Sequence, residues 1–144
     1  MKIYFAGDHA FFSLKNNLLA YVQELGHEVE DLGPYEEDSA DDYPDFVTPC
    51  AERVAREEGS VAIIGGGSGQ GEVMCANRVK GARAALFYGG GHDIVRLART
   101  HNNANILSLG ARSLTEGEAR EAVRTFLETP FSKEERHIRR LSKF

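Results

Sequence analysis

The sequence predicts an α/β domain built on a parallel sheet of five strands, and three observations carry that prediction. Short apolar runs rich in β-branched and aromatic residues alternate with longer amphipathic stretches, the pattern of repeated strand–helix–strand units. Glycines gather where two of those runs end, at Gly65-Gly66-Gly67 and Gly89-Gly90-Gly91. The chain has 144 residues, 42% of them hydrophobic and 27% charged. That suits one globular domain, which at this size buries about two thirds of the surface its extended chain exposes.

The elements follow in order. Lys2 to Ala6 reads as the first strand. Leu14, Leu18, Leu19, Val22 and Leu25 recur at helical spacing, so a helix spans about residues 10 to 25, with Gly26 placed to end it. The second strand runs from Glu28 to Leu32. Asp41-Asp42-Tyr43-Pro44-Asp45 is acidic and turn-like. Pro44 suits a first helical turn, whereas Pro49 would interrupt any regular helix begun there, which leaves the start of the second helix open. Strands follow at Val61 to Ile64, Ala82 to Phe87 and Ile106 to Leu109. Helices are expected near Glu72 to Val79, Asp93 to His101 and Thr115 to Glu128, with a last one from Ser132 to Leu141. With no internal repeat, linker or low-complexity tract, residues 1–144 read as a single domain.

Composition removes several function classes. Seventeen Lys plus Arg stand against 22 Asp plus Glu, for a net charge of -5, which disfavours broad polyanion binding and so a nucleic-acid partner. No stretch approaches the roughly 18 apolar residues of a membrane span, and the opening residues run into a strand without a signal-peptide pattern. The expectation is a cytoplasmic protein without a membrane partner. Cys50 and Cys75 form neither a CxxC motif nor a zinc set and read as reduced, buried residues. No HExxH or comparable spacing exists, His27 and His92 carry no motif, and no metal is assigned.

Ligands of open parallel sheets sit at the carboxyl ends of the strands. Four segments should meet there: Asp8-His9, the loop after the third strand, Gly89-Gly90-Gly91-His92, and Ala111-Arg112. The loop Gly65-Gly66-Gly67-Ser68-Gly69-Gln70-Gly71-Glu72 is the most informative, because glycines between a strand and a helix let several backbone N–H groups aim at one point. It is not a dinucleotide fingerprint, since GxGxxG begun at Gly65 or Gly67 ends on Gln70 or Glu72. It is not a P-loop, since Glu72-Val73 stands where Lys-Ser or Lys-Thr is required. It is not a nucleophile elbow around Ser68, since Gln70 holds the last glycine position. What survives is an anion cradle that ends in a carboxylate. Glu72 would act as a proton-transfer base while N–H groups from Gly67 to Gly71 hold a developing oxyanion. A turn selected only for close packing, with Glu72 complementing the helix dipole, is the alternative.

Asp8-His9, Gly-Ser-Gly-x-Gly-Glu, Cys75-Ala76-Asn77-Arg78, His101-Asn102-Asn103, Gly110-Ala111-Arg112 and the segment from Ser132 through Arg140 occur in one order and spacing. Together they closely resemble the ribose-5-phosphate isomerase type B family, which also includes the galactose-6-phosphate isomerase subunits. The likeness covers essentially the whole chain. It implies a Rossmann-like three-layer sandwich and aldose–ketose isomerisation of a phosphorylated sugar, without metal or other cofactor, through a cis-enediolate. It also implies a homodimer with shared active sites, with further assembly into tetramers left open. One branch of the family uses a cysteine base at the position held here by Gly66. The other uses the glutamate that closes the loop, here Glu72, and this chain resembles that branch.

By the same resemblance, His101 is the ring-opening acid and base, Asp8 contacts the ring oxygen or hydroxyls, and Asn102 holds the enediolate or a hydroxyl. Ser68 contacts the substrate beside Gly67, Gly69 and Gly71, and His9, Arg112, Arg136 and Arg140 take the phosphate. Arg136 and Arg140 are four apart, so a helix would present both on one side, about 6 Å apart at Cβ. From local composition alone, a solvated basic helix or one that binds nucleic acid is the favoured reading of this segment. His101 could cap a helix C-terminus, His9 could be a core histidine, and Asp8 could cap the following helix. The leading expectation is interconversion of ribose 5-phosphate and ribulose 5-phosphate. A six-carbon aldose 6-phosphate and, in a different class, a nucleotide-binding regulatory module are the alternatives.

Overall fold

The run Ile3-Tyr4-Phe5-Ala6 has no exposed residue, so the first strand is covered on both faces, as a parallel sheet between two helical layers requires. The computed structural model describes residues 1–144. Its elements are β1 (Lys2–Gly7), α1 (Phe12–Glu24), β2 (Glu28–Asp31), α2 (Pro44–Arg56), β3 (Val61–Gly66) and α3 (Gln70–Ala76), followed by β4 (Ala84–Phe87), α4 (Asp93–Thr100), β5 (Ile106–Gly110), a 3₁₀ turn (Ala111–Ser113), α5 (Glu116–Glu128) and α6 (Glu135–Leu141). All five strands are parallel, in the order β2-β1-β3-β5-β4.

Alternation along the strands divides the core in two. Ile3, Phe5, Ile63 and Leu107 face α1, α4 and α5, packing on Leu18, Val22, Val95, Ala122 and Phe126. Tyr4, Ala6, Ala62, Ile64 and Ile106 face α2 and α3, packing on Val47, Cys50, Ala51, Val54 and Ala76. The result is a three-layer Rossmann-like sandwich. The chain leaves β1 toward β2 on one side and β3 toward β4 on the other. A crevice therefore opens between the carboxyl ends of β1 and β3.

Several boundaries differ from the sequence reading, each for a local reason. Pro49 lies inside α2 instead of breaking it. It is exposed and close to the helix start, so little of the hydrogen-bond ladder is lost while Val47, Cys50, Ala51 and Val54 bury one face. Helix α3 stops at Ala76, where the Asn77 amide pairs with both backbone groups of Ala84, at 2.9 and 2.8 Å, as an added strand residue would. β4 begins at Ala84 because the Ala82 N–H is spent on the Val79 carbonyl and the Arg83 N–H on the Asn105 side chain. Helix α6 begins at Glu135, not Ser132, because Lys133 takes a φ of +58° that no helix continues. Cys50 is buried, with its thiol pushed up to about 12 by that burial, whereas Cys75 is only half-buried beside the Thr48 hydroxyl.

Candidate active site

The crevice is shaped by side chains that are missing. A Cβ on Gly7 would lie 2.4 Å from the Gly65 carbonyl, and one on Gly65 would lie 2.6 Å from the Phe11 ring, so β1 and β3 close tightly over Phe11. At Gly66 a Cβ would lie 2.0 Å from Glu72 Oε1. The Glu72 carboxylate therefore folds back over the end of β3, and the residue is only 3% exposed. Between them Gly69 turns the chain with a φ of +77°, a region that favours glycine.

The loop's own hydrogen bonds leave donors over. Gly67 O accepts from the Arg112 N–H at 3.0 Å, and Gly69 O accepts from the Val73 N–H and from the Ser108 hydroxyl, at 3.1 and 2.8 Å. The Gln70 N–H reaches Ser68 Oγ. The N–H groups of Gly67, Ser68, Gly69 and Gly71 find no acceptor within the chain. They line the loop beside Glu72 and suit an oxyanion.

Burial pushes the Glu72 carboxyl above the ordinary glutamate value, against the lowering effect of its own backbone N–H; the charge of Asp8 and a hydrogen bond to it add to the rise. Between that backbone N–H and desolvation, desolvation wins. Asp8 is buried, and one of its oxygens accepts the Ala10 N–H at 2.9 Å, so it holds the turn before α1 without capping the helix itself, while also flanking Glu72. His9 points Nδ1 at Asp41 Oδ1, 2.8 Å away. Its ring is held above the ordinary histidine value by that bond, with Asp8 helping and Arg112 opposing. Arg112 is exposed on the 3₁₀ turn, has no carboxylate partner, and lies where a Cβ on Gly67 would meet its Nη1 at 2.9 Å. One pole of the crevice thus holds the Arg112 guanidinium and a histidine whose cationic form is favoured by the Asp41 and Asp8 carboxylates beside it.

Asp8, His9, the glycine loop, Glu72 and Arg112 come together at this rim. The remaining candidates do not. In a parallel sheet α4 descends from the carboxyl end of β4 to the amino end of β5, which sets His101 and Asn102 at the other end of the sheet, one strand length of about 15 Å away. The Arg83 guanidinium donates to Asn103 O at 2.7 Å and that of Arg99 to Ala104 O, fixing this segment. The C-terminal segment packs here too: Ser132 N–H bonds Thr100 O, and the His137 ring stacks on that of His101 with centroids 4.3 Å apart. Burial lowers the His137 value. Arg136 is bound only to Glu134, Arg140 has no carboxylate partner, and both are exposed.

Sequence reading missed two residues of the rim. Asp41 reaches His9, and the Tyr43 hydroxyl lies where a Cβ on Gly71 would be 2.4 Å away. Both belong to the acidic segment before α2, whose only sequence signal was that of a turn. Asp8, His9 and Asp41 bring their potential ligand atoms within 4.8 Å of one another. In this arrangement His9 Nδ1 and Asp41 Oδ1 are spent on each other. The largest cavity, about 540 Å³, lies away from the rim at the amino end of the sheet, among Met1, Ser60, Gly81, Arg83, Arg99 and Asn105.

Comparison with known proteins gives one answer. A family described as Ribose/Galactose Isomerase matches residues 3–144. A ribose-5-phosphate isomerase B of Mycobacterium tuberculosis is 42% identical over 141 residues, covering 98% of this chain and 86% of its own. Among solved structures, ribose-5-phosphate isomerase B of Mycoplasma genitalium with bound ribulose-5-phosphate is 38% identical with a TM-score of 0.93, covering 99% of this chain and 92% of that one. A ribose 5-phosphate isomerase of Thermotoga maritima is 44% identical with a TM-score of 0.91, covering 99% and 95%. With its whole length accounted for in sequence and in fold, the chain belongs to the ribose/galactose isomerase family.

Proposed function

We infer that this protein is an aldose–ketose isomerase that interconverts ribose 5-phosphate and ribulose 5-phosphate. The observation that carries the chemistry is the Glu72 carboxylate, buried, raised in basicity and set beside four unpaired backbone N–H groups. Isomerisation needs a carbon-bound proton removed and the resulting enediolate oxygen stabilised, and no metal enters this scheme. Glu72 takes the proton from C2 of the aldose and returns it to C1, the hydroxyl proton of O2 passes to O1, and the amides of Gly67, Ser68, Gly69 and Gly71 hold the charged oxygen of the enediolate between the two transfers. His9 and Arg112 receive the phosphate.

The reading extends to a homodimer with two shared active sites. Within one chain His101, Asn102, Arg136 and Arg140 lie at the end of the sheet away from Glu72. A second copy brings them to the rim, His101 to open the sugar ring, Asn102 to hold the enediolate, and the two arginines to close on the phosphate. No helix is long and apolar enough to cross a membrane, in keeping with action in the cytoplasm on a small phosphorylated sugar.

An assay of ketose formation from ribose 5-phosphate, run with excess chelator, tests the reading. Turnover that survives the chelator is expected, and its absence for the five-carbon sugar would refute it. The galactose in the family's description keeps a six-carbon aldose 6-phosphate as the second substrate to compare.

A further inference from the structure

We propose that Asp41 is a positioning residue for the substrate phosphate: its carboxylate orients His9 and keeps the ring cationic, so that His9 and Arg112 together receive the dianion. The inference rests on the reading of the ligand as a phosphorylated sugar, and it assigns a role to a residue outside the motifs that define the site.

The geometry is that of a fixed pair. Asp41 Oδ1 accepts from His9 Nδ1 at 2.8 Å and also stands 3.3 Å from the His9 backbone N–H, so one oxygen fixes both the ring and the start of its side chain. The Asp41 side chain is only 7% exposed, which strengthens the pairing by excluding water. Its second oxygen is buried and has no partner in the chain, so no other cation shares its charge. The loop between β2 and α2 thus delivers a dedicated counter-ion to a histidine that follows β1.

The chemistry explains why a dedicated counter-ion is needed. A neutral imidazole that donates from Nδ1 presents a lone pair at Nε2, which repels phosphate oxygen; a doubly protonated ring presents a second donor instead. A phosphate monoester is mostly a dianion above about pH 6, near where an ordinary histidine loses its charge. An ionised carboxylate at Nδ1 keeps ring and phosphate oppositely charged over a wider range. The charged groups facing His9 are Asp41 and Asp8, which favour the cation, and Arg112, which opposes it. When phosphate arrives, its charge outweighs that opposition.

The experiment follows the His9 ring by NMR titration in the wild-type protein and in Asp41→Asn, using His9→Gln to assign the signal. Binding of inorganic phosphate and the KM for ribose 5-phosphate are measured from pH 6 to 9 in parallel. Asp41→Asn should move the His9 midpoint downward. At pH 8 it should weaken phosphate binding and raise KM by about tenfold, the lower end of what losing the carboxylate that orients a metal-bound histidine costs, with KM rising more than kcat falls. In the His9→Gln background the same change should add nothing. An unchanged His9 midpoint, or a phosphate affinity with the wild-type pH profile, would overturn the proposal. If Asp41→Asn fails to fold, the wild-type titration decides, since a midpoint at or below the ordinary histidine value is equally fatal. The titration and phosphate binding need no turnover, so a chain that fails to isomerise ribose 5-phosphate refutes the isomerase reading without obscuring the role of Asp41.

Discussion

A carboxylate that must take a proton from carbon has to be ionised and yet poorly solvated, and the absence of a side chain at position 66 makes room for both conditions. The space a Cβ would fill at Gly66 is occupied by the Glu72 carboxylate itself. A side chain at position 66 and the carboxylate of Glu72 therefore compete for one space. Gly66→Ala should displace Glu72, whose side chain is flexible at its far end, and lower kcat by about a hundredfold or more, as loss of a general base does, while far-UV circular dichroism stays native. The raised Glu72 value also sets a pH limit. If Glu72 is the base, as proposed, its ionised form does the work, so turnover should be lost as pH falls through a midpoint above the ordinary glutamate value of 4.5, and the acid limb of the kcat profile measures it. The spacing Gly-Ser-Gly-x-Gly-Glu makes Glu72 legible in the sequence. Its burial, and its proximity to Asp8 from another strand, are not, because they depend on which strands become neighbours.

At the scale of elements, α1 shows what a periodic pattern can and cannot say. The leucine spacing predicts the helix, yet the residues it buries most deeply are Lys15, Leu18 and Val22, while Leu25 stands 40% exposed at its end. A lysine in the apolar stripe is legible only through its partners. Lys15 Nζ donates to both Asp31 oxygens at 2.7 and 2.9 Å and to Pro34 O at 2.6 Å, tying α1 to the end of β2 and the loop beyond it. Removing it would leave the Pro34 carbonyl unpaired and the Asp31 carboxylate with only the Gly33 N–H. Lys15→Met should cost about 2 to 3 kcal/mol in urea unfolding, below the full value for a buried pair because Asp31 is partly exposed. The same lesson holds for α2, where Pro49 argued against a helix that burial of one face maintains, and for Asn77, whose side chain ends α3 through a pairing with Ala84. Local propensity yields to tertiary contacts in each case.

For the whole molecule, the parallel direction of all five strands is the decisive fact. It sets Glu72 at the carboxyl ends of the strands, and His101 and the C-terminal segment at the amino ends, although all of them belong to one ordered set of motifs. Motif order groups these residues by resemblance. It does not by itself say at which end of the sheet each lies, which follows from the parallel strands and from His101 closing a helix that returns to their amino ends. The central claim is that Glu72 of one copy works with His101 of another, and mixing two disabled proteins tests it most directly. Glu72→Gln and His101→Asn are each expected to be inactive alone. If equal amounts are unfolded and refolded together, half of the dimers are hybrids, and each hybrid holds one site with both residues intact, so activity should return to about a quarter of wild type. If Glu72 and His101 served the same site from the same chain, every site in the mixture would carry a defect, and the refolded sample would stay inactive.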